Sequence, residues 1–315
     1  LKEVNKIYNS VKPKDIRNFK IDNVYIGEHA YAGTLRYYAK GFIDFTNDEI
    51  LTLKKFFFAA LKTYFISKNL FKKKKYKSVL LNHGIYVPQG IISETAKENK
   101  VNVVTWFTAY KKKSFLFSHN ETYHKSLLKE DTSEWENIIM DKEKDDKLKK
   151  YINSRKYGTD DWVYFHNKQP NFNFKLTDYN KELSNDENFT SLFTNVIWDA
   201  QLFFDQNIFK NMVEWVLQTI DYYIKLNKIL VIRAHPAEVT GTLPSRQNIF
   251  SEIKNKYKKL PKNIIFIHSD DPISSYAIIE KSKFCIVYGS TIATEIASIG
   301  KNVLIGGESW IKNKN

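Results

Sequence analysis

Two segments in the last third of the chain bring together side chains able to bind and polarise a phosphate. Arg233-Ala234-His235-Pro236-Ala237-Glu238 offers a guanidinium, an imidazole and a carboxylate. Tyr288-Gly289-Ser290-Thr291-Ile292-Ala293-Thr294-Glu295 offers two adjacent hydroxyls, a helix start and a carboxylate one turn further on. Charge-assisted hydrogen bonds from such groups suit a phosphorylated ligand. Each segment follows an apolar run that reads as a buried parallel strand, Ile229-Leu230-Val231-Ile232 and Phe284-Cys285-Ile286-Val287. In a doubly wound sheet, ligands bind at the carboxyl ends of the strands, which is where both segments fall.

The elements that must position these residues alternate regularly from residue 191 onward. Strands are expected at Leu192 to Ile197, Ile229 to Arg233, Ile264 to His268, Phe284 to Tyr288 and Val303 to Ile305. Helices are expected near Phe209 to Leu226, Arg246 to Leu260, Ile273 to Lys281 and Thr291 to Ile299, with Gly300 just past the last. Such alternation predicts a parallel sheet with right-handed crossovers. A second α/β region shows as a βαβ unit: Ser78 to Leu81 as strand, Pro88 to Asn99 as helix, Val101 to Trp106 as strand, preceded by a helix over Asn47 to Asn69. Residues 107–190 are rich in aromatics, Lys, Asn and Asp; a helix is expected around Thr132 to Tyr151, with loops and a linker around it. The fold class is therefore α/β with two Rossmann-like lobes, residues 1–185 and 186–315, the second a doubly wound parallel sheet.

Composition excludes several function classes. The chain has 315 residues, 43% of them hydrophobic, enough for two cores. Phe56 to Leu61 is closed by lysines on both sides, so no membrane span is expected. The lone Cys285 leaves no internal disulfide and no cysteine-based zinc site, and fits a reducing cytoplasm. The net charge of +14 comes from 49 basic residues of which five are arginine, a poor match to the guanidinium-rich surfaces that read nucleic acid. The runs Lys72 to Lys75 and Lys111 to Lys113 read as solvated faces that also suit peripheral contact with an anionic membrane or glycan. Neither a GxGxxG nor a GxxxxGK[ST] fingerprint occurs. His119 and His124, around Glu121, read as isolated surface histidines, and no metal site is expected.

Four segments in order, Thr194 to Asp199, Arg233 to Glu238, Ser274-Ser275-Tyr276 and Gly289-Ser290-Thr291 with Glu295, resemble the nucleotide-sugar half of GT-B glycosyltransferases of the capsule and surface-polysaccharide type. Asn82-His83-Gly84-Ile85-Tyr86-Val87-Pro88-Gln89-Gly90 is similar to a segment of their acceptor half. The resemblance covers residues 78–106 and, more fully, 191–310. It implies a metal-independent transferase with a nucleotide sugar as substrate, no separate cofactor, a glycan or lipid-linked acceptor, and a place at the cytoplasmic face of the membrane. His235, with Arg233, would approach the donor phosphate, Ser290 and Thr291 would bind it, and Glu295 would accept hydrogen bonds from a ribose. Glu238 would cap or contact sugar hydroxyls, and Asn195, Asp199, Ser274 and Ser275 would line the cleft.

The base is read from position. His83 follows the strand Val79 to Leu81 and precedes Gly84, so its imidazole would project from the carboxyl end of that strand and could deprotonate an acceptor hydroxyl. Glu28, His29 and Arg36 form a second polar cluster, while Glu94 reads as an ordinary helix-face residue. Both halves show fewer elements than a complete enzyme of this kind, so the chain is expected to be a fragment. A sugar-nucleotide epimerase, a polyol-phosphate transferase of the same fold and a non-catalytic anionic-polymer-binding module remain as alternatives.

Overall fold

The computed structural model describes residues 1–162, 164, 165, 168–200, 207–312 and 314; every residue assigned to the site above is among them. The chain divides into two compact units, residues 1–109 with 113–129, and residues 110–112 with 130–315.

The first unit opens with α1 (Lys2–Ser10), a 3-10 turn (Pro13–Asn18) and α2 (Ile26–Tyr38), followed by α3 (Asn47–Lys73). The 27-residue α3 starts at a capping box: Glu49 N–H donates to Thr46 Oγ1 and the Glu49 carboxylate accepts from Thr46 N–H at 3.1 Å. Then come β1 (Ser78–Asn82), α4 (Gln89–Glu98), β2 (Asn102–Thr108), β3 (Phe115–His119) and α5 (Tyr123–Lys129). The βαβ unit is where the apolar pattern placed it, with β1 and β2 parallel. An antiparallel β3 completes the sheet. One face packs through Val79, Leu81 and Val103 against Ala96 of α4 and Phe71 of α3. On the other face Leu80, Phe115 and Phe117 remain 64%, 52% and 61% exposed.

The second unit contains α6 (Ser133–Glu136), α7 (Lys142–Tyr157), α8 (Leu176–Tyr179), β4 (Phe189–Phe193), α9 (Met212–Leu226), β5 (Ile229–Arg233), α10 (Ala237–Thr240), α11 (Ile249–Lys256), β6 (Ile264–Ile267), α12 (Ser275–Lys281), β7 (Phe284–Val287), α13 (Ile292–Ser298) and β8 (Val303–Ile305). Its five strands are all parallel, in the order β6-β5-β4-β7-β8. Every residue of β4 and β5 is buried, so both faces of the sheet centre are covered, as a parallel sheet requires.

Two expectations are revised. The first strand of this unit begins at Phe189 and ends at Phe193, so Thr194 and Asn195 lie just beyond it. In place of one helix over Thr132 to Tyr151 there is the short α6 and then α7, which starts where the Asp141 side chain accepts from Lys144 N–H at 2.9 Å. Residues 130–185 fall in the second unit, and they supply part of its core: Phe174 and Leu176 are buried with Phe189, Val231 and Ile278. Lys281 Nζ fixes this segment by donating to the Phe174 carbonyl at 2.6 Å.

Phe174→Ala should therefore cost about 3–5 kcal/mol in the unfolding transition of the second unit under urea. Phe172→Ala, two residues away at a ring 38% exposed, should cost under about 1 kcal/mol. Equal effects would place the segment outside the core.

Candidate functional site

The strand order reverses between β4 and β7: β5 and β6 lie to one side of β4, β7 and β8 to the other. Such a switch point opens a crevice at the carboxyl ends of the strands. The register aligns Phe193 with both Arg233 and Val287, so the residues next in line are Thr194, Ala234-His235 and Tyr288-Gly289-Ser290. Hydrogen bonds bind the first two segments together. Thr194 N–H donates to the Arg233 carbonyl at 3.1 Å, and His235 N–H donates to Thr194 Oγ1 at 3.0 Å.

His235 is poised as a donor. Its Nδ1 accepts from Ala237 N–H at 3.1 Å, which places the proton of the neutral ring on Nε2. The ring meets Phe165 edge-on at 5.2 Å between centroids. Asn195, beside it, donates its backbone N–H to Met212 Sδ at 3.1 Å, while its buried side-chain oxygen has no hydrogen-bond partner. An unsatisfied buried carbonyl is costly in a native fold, and a crevice for a ligand is one place where it persists.

On the β7 side, the loop is held by its neighbour in the sheet. Gly307 N–H donates to the Tyr288 carbonyl at 2.8 Å, and a Cβ at Gly289 would lie 2.4 Å from the Glu308 carbonyl oxygen, so glycine alone fits. Tyr288 is buried against Trp215 at 5.2 Å. Ser290 and Thr291 follow, both half-buried. Tyr110, whose hydroxyl burial pushes to a higher pKa, lies near Thr291 and the Asp199 carboxylate.

The remaining sequence-predicted residues have protein partners. Arg233, 1% exposed, directs Nη1 to the His268 carbonyl and Nη2 to those of Asp271 at 3.0 Å and Ile273 at 3.3 Å. Burial lowers its pKa to about 10. It pins the loop between β6 and α12 rather than reaching for a ligand. Glu238 accepts from Ile249 N–H at 3.1 Å and Ser269 Oγ at 2.8 Å, and burial raises its pKa. Buried Ser274 is the N-cap of α12, its Oγ accepting from Tyr276 N–H at 3.3 Å, and Ser275 begins that helix. Glu295, on the face of Thr291, accepts from Arg155 Nε at 2.7 Å and from the Tyr276 hydroxyl. Asp199 is exposed, in a turn closed by its N–H to the Val196 carbonyl at 3.2 Å.

In the first unit, His83 stands at the carboxyl end of β1 with its backbone in the left-handed region at φ 64°. Tyr86 repeats this at φ 64°; strain of this kind persists where the surroundings enforce it. Around the His83 ring lie Phe107 at 4.7 Å, His124 at 5.2 Å, Tyr86 at 5.8 Å and Tyr123 at 5.9 Å. Burial, and then the positive charge of Arg36, lower its pKa to about 4. His124 is 7% exposed, against the expectation of a surface histidine, and burial followed by the His83 charge lowers its pKa to about 3. The period of α5 conceals this, because His124 is the only fully buried residue of that short helix. His29 is also buried, its Nε2 3.1 Å from Glu94 Oε1, so Glu94 is an inward partner and no ordinary surface residue. A Cβ at Gly90 would lie 2.1 Å from this imidazole.

Among the described residues no group of three or more His, Cys, Asp or Glu is arranged to hold a metal, and no helix is long and apolar enough to cross a membrane.

No protein-family description matches the sequence, and no curated protein does. Solved structures resemble it weakly. A Thermosulfurimonas dismutans KpsC beta Kdo 2,4 transferase aligns at 10% identity over 74% of this chain and 69% of its own, with a TM-score of 0.46. A beta Kdo 2,7 transferase of KpsC from the same organism aligns at 15% over 77% and 69%, with a TM-score of 0.41. An S. aureus MnaA–UDP co-structure aligns at 14% over 94% and 76%, with a TM-score of 0.30.

Sequence reasoning missed Arg155, Tyr110 and the buried state of His124. Arg155 carried a signal: it is one of five arginines among 49 basic residues.

The depressed histidines set a pH dependence. Because His83 titrates at about 4 when folded and at 6.5 ordinarily, acid protonates the unfolded chain first. This contribution to stability is complete above pH 6.5 and is lost as the pH falls towards 4, with a slope of up to about 1.4 kcal/mol per pH unit. The stability of the first unit, measured by urea unfolding between pH 7.5 and 4.5, should fall more steeply in the wild type than in His83→Gln. Parallel curves would show that His83 is already protonated in the fold.

Proposed function

We propose that this chain transfers a sugar from a nucleotide-sugar donor to a bacterial surface glycan of capsule or lipopolysaccharide type. What carries this reading is the convergence of His235, Asn195 and Ser290-Thr291 on the switch-point edge of one parallel sheet. A departing nucleotide gathers negative charge on its phosphate, and fixed neutral donors aimed at that charge lower the barrier without reorganising. His235 Nε2–H and the hydroxyls of Ser290 and Thr291 fill that role. Asn195 Oδ1 accepts a hydrogen bond from the ligand, and no divalent cation is required. His83, held neutral by its surroundings, takes the proton from the acceptor hydroxyl.

The experiment is a melting series with CMP, UDP, GDP and CDP. One of them should stabilise the protein, by about 2.7 kcal/mol at a hundredfold excess over Kd. His235→Ala should lower sugar transfer about a hundredfold while shifting the melting temperature little. Transfer should persist in excess chelator; loss restored by magnesium or manganese would mean that a metal neutralises the leaving phosphate. Donor-dependent interconversion of the sugar without transfer would favour an epimerase, and a polyol-phosphate product the related transferase. Salt-sensitive polymer binding with no nucleotide affinity would favour a binding module.

The exposed face of β1-β2-β3 favours a second reading, peripheral attachment to the inner face of an anionic membrane. Phe115, Phe117 and Leu80 stand out from the sheet, and exposed Lys72 to Lys75 precede β1. Aromatic side chains with nearby lysines suit an anionic interface. The protein should sediment with phosphatidylglycerol vesicles at low salt, and Phe117→Glu should release it. Sedimentation unchanged by the substitution and by salt would remove the membrane from the account.

A further inference from the structure

Arg155 joins two carboxylates that are far apart in sequence. Its Nε donates to Glu295 Oε1 at 2.7 Å and its Nη1 to Asp161 Oδ2 at 2.6 Å. The three side chains are 16%, 10% and 6% exposed in the order Arg155, Glu295, Asp161. Tyrosines complete the set: the Tyr276 hydroxyl donates to Glu295 Oε2, and the Tyr151 hydroxyl donates to Asp161 Oδ1 at 2.9 Å. The Tyr110 ring lies 5.3 Å from the guanidinium carbon.

No residue of α7 is fully buried, and Arg155 ties the helix to Glu295 of α13. Elsewhere Lys156 pairs with Glu280 of α12 at 3.1 Å, and the Tyr157 ring meets Phe172 at 5.4 Å. Removing one partner of a buried charge network leaves the others uncompensated. Without Arg155, two nearly buried carboxylates would share one region with no cation between them. An incoming phosphate at Ser290-Thr291, one helical turn from Glu295, would then meet uncompensated negative charge in a medium that screens it poorly.

We propose that Arg155 is a positioning residue of the nucleotide site: it fixes the Glu295 carboxylate and offsets its charge, so that the adjacent Ser290-Thr291 loop accepts an anionic nucleotide. This rests on the nucleotide reading above and adds a residue and a selectivity to it. Glu295 keeps unused lone pairs on both oxygens, so the same carboxylate can accept from a ribose hydroxyl while Arg155 and Tyr276 hold it. Arg155 itself bonds protein carboxylates, and its effect on the ligand passes through Glu295.

The test uses the full chain with Arg155→Gln, Glu295→Gln and the double substitution, titrated with CMP, UDP, GDP and CDP and with the matching neutral nucleosides. For the nucleotide that the wild type binds, Arg155→Gln should weaken affinity by about tenfold or more, the equivalent of about 1.4 kcal/mol. The nucleoside should weaken by less than about threefold. Glu295→Gln added to Arg155→Gln should recover nucleotide affinity to near that of Glu295→Gln alone, because the uncompensated charge is then gone. Arg155→Lys keeps the charge and serves if Arg155→Gln does not fold; it should retain the preference for nucleotide over nucleoside. Equal loss for nucleotide and nucleoside, or a double variant no better than Arg155→Gln, overturns the proposal. Should the wild type bind none of these nucleotides, the nucleotide reading fails, and melting then judges Arg155: a double variant that melts above Arg155→Gln upholds charge compensation, and one that does not refutes it.

Discussion

The second unit depends on the pairing of β4 with β5 on one side and β7 on the other. All three strands are parallel, and the whole of β4 and β5 is buried. With both faces covered, a slip of one residue along β4 would exchange which side chains meet each layer, so register is strongly specified. The same register sets the chemistry at the strand ends. It is why Thr194 reaches the backbone of His235, and why the glycine-containing turn after β7 emerges beside Asn195. The residues of the site are not neighbours in sequence; they are neighbours because three apolar strands end at one level.

How far this could be read from the sequence varied with the physics of each element. Strands β5 to β8 are short apolar runs closed by polar or glycine residues, and their ends lay within a residue or so of expectation. β4 was displaced because Thr190 and Ser191 break its apolar pattern. In the fold Ser191 lies in the interior, its hydroxyl donating to Cys285 Sγ at 3.3 Å and accepting from Ser282 Oγ at 2.8 Å. A polar strand residue whose partners come from β7 and the end of α12 cannot be recognised before the topology is known. Phe174 and Leu176 were hidden differently: an irregular segment has no period from which an inward side could be inferred, yet it supplies core residues to the second unit.

The polar residues near the switch point differ in whether their side chains hold the neighbouring loops. Arg233 and Glu238 sit in the same short segment as His235 and drew attention for the same reason, but their partners are backbone carbonyls, a backbone N–H and a serine hydroxyl. A buried guanidinium stays charged only where such acceptors surround it. Sequence could show that this segment was chemically unusual; the structure shows which of its members hold the neighbouring loops. His124 makes the converse point in the first unit, where a histidine in a polar stretch proves to be buried against His83.

The distribution of charge follows from the same division. The +14 excess is carried mostly by lysines, including the exposed runs at 72–75 and 111–113. At the switch point the arginines are engaged by protein: Arg233 through its two Nη atoms by three carbonyls, its buried Nε being unsatisfied, and Arg155 by Glu295 and Asp161. Beside them, the His235 ring and the Ser290 and Thr291 hydroxyls stand on loops whose backbone is hydrogen-bonded to neighbouring segments. Long-range attraction of an anionic partner therefore resides in surface lysines that salt can screen. On the reading proposed above, discrimination at a phosphate would reside in short, oriented dipoles that salt hardly touches. A site of that kind would depend on orientation at the strand ends, and with it on the register of β4.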